Sequence, residues 1–242
     1  MPALLARFDA PGLVKVHRYW EANNTAYMAM PLYEGATLRE HIRALPERPG
    51  EDWLMQLLDP LTEALIMAQP GDIVSIGAGR FELTEGLSLD VDNVIVRGAG
   101  AEQTILSFKG QTGSGEGLLV TSNQVVLEAF AVEDSKGDGV KAKGSDQITF
   151  RNLRVEWTNG PNEKNGAYGV YPVSSKNVLV DGVVVKGAAD AGIYVGQSEN
   201  IVVRNSRVEF NVAGIEIENS MKADVYKNVA THNTGGILVF DL

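Results

Sequence analysis

The chain of 242 residues contains no cysteine, only three histidines and no excess of basic side chains. Without cysteine there are no disulfides, no thiolate metal sites and no cysteine nucleophile. Lys and Arg number 21 against 31 Asp and Glu, a formal charge of −10. The deficit is spread evenly: residues 1–66 hold 6 basic and 9 acidic side chains, and the remainder 15 and 22. Neither part attracts a phosphate backbone over a distance, so nucleic acid is not expected as a partner. No apolar run approaches the roughly 20 residues that cross a bilayer. The N-terminus also lacks a basic segment followed by an apolar run. As written, the chain reads as soluble and cytoplasmic, with no membrane partner.

What is abundant is glycine, 26 residues, and part of it is periodic. Gly117-Leu-Leu-Val, Gly139-Val-Lys-Ala, Gly169-Val-Tyr-Pro, Gly192-Ile-Tyr-Val, Gly214-Ile-Glu-Ile and Gly236-Ile-Leu-Val are spaced 22, 30, 23, 22 and 22 residues apart. A period near 22 carrying apolar–any–apolar triplets predicts one strand per coil of a solenoid, since strand side chains alternate faces. A second ladder keeps step with it: Val94/Val96, Val125/Leu127, Ile148/Phe150, Val178/Val180, Ile201/Val203 and, more weakly, Ala223/Val225. A third column follows at Val132, Val155, Val185, Val208 and Ala230. Three short strands per coil, with Gly, Asn, Asp and Ser at the corners, predict a mainly β fold. Its form is a right-handed single-stranded parallel β-helix of about seven coils.

The first quarter does not obey this repeat. Val14–Trp20 and Thr25–Met30 flank a polar Glu21–Asn24 turn and predict a β-hairpin. Thr37–Leu45 starts on a threonine with Glu40 three residues on, a capping box, and predicts a helix. A second helix is expected over Glu51–Met67, with Leu54, Leu57, Leu58, Leu61 and Leu65 on one stripe and a break or kink at Pro60. This α+β segment places its second helix where an open first coil needs a cap.

Arg7-Phe8, Pro11–Val16, Trp20–Met30, Tyr33–Gly35 and Thr37-Leu38 resemble the middle of a bacterial serine/threonine protein kinase. The likeness covers residues 4–65, and implies Met30 as gatekeeper and Pro31, Leu32 and Tyr33 as a remnant of the adenine-binding hinge. Phosphoryl transfer also needs a catalytic aspartate and metal-holding residues. The chain contains neither His-Arg-Asp nor Asp-Phe-Gly, so kinase activity is not expected.

From residue 66 onward, Pro70–Asp72, Leu87–Asp90, Val94–Gly100, Gly192–Gly196 and Asn211–Asn219 resemble bacterial β-helix proteins of the pectate-lyase-like fold. That resemblance implies a polysaccharide, commonly an acidic one, as the partner of a lyase, hydrolase or epimerase, or of a non-catalytic scaffold. Such relatives are often exported. Leu242 falls in mid-rung phase, so the expectation is a 66–242 domain with an incomplete last coil, whose open edge offers itself for self-association.

If the apolar members of the glycine repeat face inward, the alternate positions Lys141, Lys143, Tyr171, Tyr194, Glu216, Glu218 and Leu238 stack on one outer face. Aromatic rings at rung spacing beside charges suit a sugar chain, although cross-rung pairing alone also accounts for such a ladder. Two intervals are long, at residues 107–116 and 158–167, and long loops commonly carry the variable part of a scaffold. The preferred site is a groove beside the second, with Trp157 or Tyr168 on its rim, although packing of the long loop onto the wall of the coil accounts for either aromatic and better for Trp157. For proton transfer the candidates are Asp138, Asp190, Glu216 and Lys141, with Asp134 at a further corner; the aspartates are also plausible turn formers. No cofactor is expected: no calcium loop is recognisable, and His232, the single histidine of the solenoid, has no zinc spacing around it.

Overall fold

A strand of three to six residues is stable only when neighbours take up its backbone hydrogen bonds, and here the neighbours are the preceding and following coils. The structure, a computed structural model, describes the backbone of residues 18–22 and 25–29, and residues 61–62, 64–113 and 115–241 in full. The first sheet stacks Ile73–Ser75, Ile95–Arg97, Val125–Glu128, Asp146–Arg151, Lys176–Asp181, Glu199–Arg204 and Met221–Tyr226. The second stacks Gly79–Glu82, Thr104–Ser107, Ala131–Glu133, Arg154–Glu156, Val184–Lys186, Arg207–Glu209 and Val229–Thr231. The third stacks Leu87–Leu89, Leu118–Val120, Val140–Lys143, Val170–Val173, Ala191–Gly196, Ala213–Glu218 and Gly235–Phe240. All pairings within these three sheets are parallel and join each coil to the next, so the predicted three-stranded coil, seven deep, is the fold of this part of the chain.

The sequence ladders are its core. Val94 and Val96, Val125 and Leu127, Ile148 and Phe150, Val178 and Val180, and Ile201 and Val203 are all buried, as are Val132, Val155, Val185 and Val208. Each such side chain contributes roughly 1.5–3 kcal/mol by leaving water. Ala223 and Val225 keep the same phase with less cover, because their strand is last in its sheet and has a neighbour on one side only.

The repeat glycines are explained by space. A Cβ on Gly139 would lie 2.3 Å from Val155 Cγ1 and 2.7 Å from the Gly169 carbonyl oxygen. On Gly169 it would lie 2.3 Å from Val185 Cγ1 and 2.6 Å from the Gly192 oxygen. The third apolar column thus packs directly against the backbone of the glycine column, and any side chain there would force the coils apart. The other corners are tied by buried polar groups. The Ser145 N–H donates to Ser175 Oγ, that of Ser175 to Ser198 Oγ, and that of Ser198 to Ser220 Oγ, at 3.0–3.2 Å.

On the outer side of the second sheet, Glu133 is buried between Arg80 (2.6 Å) and Arg154 (2.7 Å). Burial pushes the Glu133 carboxyl up, but hydrogen bonds and charge from the two arginines outweigh it and hold the group below its usual range.

The chain divides into two compact units, Met1–Pro60 and Leu61–Leu242. In the first, Arg18–Ala22 pairs antiparallel with Thr25–Ala29, so the predicted hairpin forms. Its first strand runs two residues beyond Trp20, because Glu21 and Ala22 take ladder positions opposite Ala26 and Thr25. Met30, Pro31 and Tyr33, the 37–45 helix and residues 51–60 of the next one lie outside the described residues. Residues 61–62 and 64–66 are helical, and Leu65 and Ala68 are buried.

Gly169→Ala is expected to cost about 1–3 kcal/mol in urea unfolding, as overpacking does. Gly236→Ala, at the one repeat glycine whose Cβ would meet nothing within 4 Å, is expected to be neutral by comparison. Glu133 has a folded pKa below its unfolded value, so its contribution is fully present above an unfolded pKa near 4.5 and fades as pH falls through the folded pKa. Glu133→Gln should therefore cost on the order of 3 kcal/mol at pH 7. The difference from wild type should shrink in unfolding curves taken at progressively more acid pH.

Candidate functional site

The outer face of the third sheet carries side chains that its core does not need. Leu119, Lys141 and Tyr171 are in register on three successive strands, and Tyr194, Glu216 and Leu238 continue the column. A second outward column comes from the residue before each repeat glycine: Glu116, Asp138, Tyr168, Ala191 and Ala213. A bend at Gly117, Gly139 and Gly169 brings the residue one before the glycine and the residue two after it to the same side, while Ala191 and Ala213 are buried beneath the rings.

These columns meet in an aromatic and ionic cluster. Tyr168 stacks on Tyr194 with centroids 4.4 Å apart at 29°, and Tyr171 lies 4.7 Å from Tyr168 and 5.1 Å from Tyr194 in tilted and edge-on contacts. Such pairs are each worth about 0.5–1.5 kcal/mol beyond their buried area. Ala191 and Ala213 form the floor, and Leu238 closes one side. Lys141 Nζ stands 4.8 Å from the centre of the Tyr171 ring and donates to Glu116 at 2.9 Å and to Asp138 at 3.1 Å. Asp138 Oδ1 accepts the Tyr168 backbone N–H, which fixes the end of the 158–167 insertion over the face. The Tyr194 phenol donates to Glu218 one coil on. Gly196 allows this: a Cβ there would lie 2.7 Å from the Tyr194 ring.

Residues 92–241 match the family described as the right handed beta helix region. The chain belongs to the right-handed β-helix family. Among solved structures, this β-helix resembles an alginate lyase from Paenibacillus sp. str. FPU-7, with 16% identity, 70% of this chain and 72% of that one covered, and a TM-score of 0.43. It also resembles the catalytic domain of a GH87 α-1,3-glucanase, with 14% identity, 82% of this chain but 38% of that one covered, and a TM-score of 0.49. A third is the pectin methylesterase PemA from Erwinia chrysanthemi, with 8% identity, coverage of 66% and 73%, and a TM-score of 0.36. Likeness at this level says nothing of chemistry. No curated protein matches the chain.

The electrostatics of the β-helix face follow from partial burial beside like charges. Burial, then Asp190 and Glu218, push the Glu216 carboxyl above its ordinary range. Burial likewise raises Asp138, against the pull of Lys141. Lys141 is held above its ordinary value because Glu116 and Asp138 outweigh the desolvation of its ammonium. Burial, with the charges of Asp190 and Glu216, pushes the Tyr168 phenol up to about 12, and burial with the Glu218 bond raises Tyr194 further. The phenols are neutral hydrogen-bond donors at any physiological pH.

Of the sequence candidates, Lys141, Asp138, Tyr168, Tyr171, Tyr194, Asp190, Glu216 and Glu218 gather on this face, and Lys143 is exposed at its edge. Two of the aromatic candidates are buried. Trp157 is 4% exposed and its indole N–H donates to the Ser135 carbonyl, so it anchors the insertion from inside and is absent from the rim. Tyr194 is 7% exposed, covered by the other two rings, so it supports the platform and offers a ligand no open face. Asp138 and Asp190 are not equivalent: Asp190 stands two residues before its glycine and its N–H bonds to Ala167, one column further back. Asp134 is a corner residue that accepts the Thr158 N–H and hydroxyl. Sequence reasoning missed Glu116, although it precedes Gly117 as Asp138 precedes Gly139. Among the described residues no three His, Asp or Glu side chains converge in a metal-binding group.

Tyr194→Phe leaves Glu218 without its phenol donor, and is expected to cost about 1.5–3 kcal/mol in urea unfolding at neutral pH. Alkaline titration followed by tyrosinate absorbance should show wild-type phenols still protonated well above pH 10, with the delayed fraction reduced in the variant.

Proposed function

We propose that the outer face of the third sheet binds a polysaccharide lying across the coils. The observation that carries this reading is the three-tyrosine cluster continuous with Lys141 and its two carboxylates, all on one outward face and overhung by the end of a loop insertion. Tyr168 and Tyr171 are half-buried and present ring surface for the C–H face of a sugar. Neutral phenols and ionised carboxylates supply donors and acceptors for hydroxyl groups. Charge selects the class of chain. Glu116, Asp138, Asp190, Glu216 and Glu218 outnumber Lys141 and Lys143, and Lys141 is already paired twice. An array of uronate groups would meet net repulsion here, so the fitting ligand is a neutral polysaccharide, in place of the acidic one that the pectate-lyase-like resemblance implies.

A second reading, hydrolysis, is favoured by one pair of groups. Glu216 and Asp190 lie near enough for the Asp190 charge to act on Glu216, and hydrolysis would use one carboxyl to protonate the leaving oxygen and the other to take a proton from the water that attacks the sugar carbon. The family match spans residues 92–241 and lends the kinase likeness of residues 4–65 no support.

Calorimetric titration with neutral glucans and mannans beside alginate and polygalacturonate tests both readings. Neutral chains should bind, and Tyr171→Ala should weaken them about tenfold. Preference for the polyuronates would overturn the neutral-chain reading, and silence from every glycan would overturn the binding face. Glu216→Gln should still bind but release no reducing ends; undiminished turnover would exclude the hydrolytic reading.

A further inference from the structure

Beyond the tyrosine face, at the corner where the second sheet passes into the third, Phe210 and His232 stack with centroids 5.1 Å apart at 25°. Both hold left-handed backbone, with φ of 58° and 55°. The same corner of earlier coils holds Asp134 and Gly187, residue types that adopt this conformation readily, at 56° and 81°. A bulky aromatic there is strained, and Phe210 is nonetheless 43% exposed, so its ring is not kept for the core. It borders an open groove of about 700 Å³, walled by Pro161 and Asn162 of the 158–167 insertion and floored by Val212, itself 49% exposed. Thr234 stands on the far rim.

The groove adjoins the face already described. Ala189 and Val212, which line it, are followed directly by Asp190 and by Ala213, the latter part of the floor beneath the tyrosines. Its lining is an aromatic plane and apolar carbons edged by the amides of Asn162, Asn211 and Asn233, the Thr234 hydroxyl, the His232 ring and the Glu163 carboxylate, with no lysine or arginine. An anionic group would meet the Glu163 carboxylate there and no lysine or arginine. A neutral pyranose ring, with one C–H face and peripheral hydroxyls, matches it.

We infer that this corner groove is a distal subsite, in which Phe210 stacks on a further sugar unit of the same neutral chain that crosses the tyrosine face. The inference rests on the binding face proposed above. Asp190 stands between the two surfaces, and the insertion contributes to both, with Tyr168 on one side and Pro161 on the other.

Neutral oligosaccharides of increasing length provide the test. Phe210→Leu keeps an apolar side chain and the backbone strain but removes the π face; Phe210→Tyr keeps the ring. Wild type should gain affinity once the oligomer is long enough to leave the tyrosine face, and Phe210→Leu should lose about tenfold for those longer oligomers while matching wild type on the shortest that bind. Phe210→Tyr should retain the gain, and Tyr171→Ala should weaken short and long alike. Equal affinities for wild type and Phe210→Leu at every length would overturn the subsite and leave the face standing. So would a loss that affects the shortest oligomers equally and accompanies a lowered Tm, because the ring would then be serving the fold. If wild type binds no oligomer of any length, both fall.

Discussion

Close approach of backbone to side chain at one corner of the coil is the contact on which the rest of this β-helix depends. The methyl groups of Val155 and Val185 occupy the space where Gly139 and Gly169 would carry a Cβ, and the carbonyl of the next glycine stands beside them. Three sheets can close around an interior filled with Val, Ile and Leu only if one corner is this tight. Because the coils repeat at the strand spacing of roughly 5 Å, the constraint recurs from Gly117 to Gly214, which is why the glycine is periodic while most surface residues are not.

The same corner creates the outer face. Where the chain bends at Gly117, Gly139 and Gly169, the residue one before the glycine and the residue two after it come to the same side, and two adjacent columns replace the single one that alternation predicts. Asp138 beside Lys141, and Tyr168 beside Tyr171 and Tyr194, are products of that geometry. Strand spacing suits aromatic stacking, so tyrosines contributed by successive coils meet without any strand departing from its register.

Inward positions were legible in the sequence and outward ones only in part, for physical reasons that differ. Val125/Leu127 and Val178/Val180 could be read because a buried strand position admits few residue types and the period of two is strict inside the core. Lys141, Tyr171 and Glu216 were legible as one column by the same alternation. Glu116 was not, since it belongs to the column that alternation does not generate. The direction of Trp157 was not fixed by its place in the repeat, because it is set by the Ser135 carbonyl of the preceding coil, reached 22 residues back in the chain. Phe210 was overlooked because its side chain follows from a left-handed backbone at the corner, which Phe itself does not signal.

Chemistry on such a scaffold is therefore carried by columns and not by local motifs. A residue acquires its neighbours from positions 22 to 30 residues away, as Asp138 acquires Glu116 through Lys141 and the N–H of Tyr168. Lengthening one coil, as the 158–167 insertion does, leaves the core phase intact and shifts what overhangs the face. The insertion enters the helix wall through buried Trp157 and leaves it through Tyr168, so its two ends are fixed on opposite sides of the glycine corner. With both ends pinned, the loop between them can vary in sequence without disturbing the coils, and that freedom lets it change what overhangs the third sheet's outer face and the corner beside it.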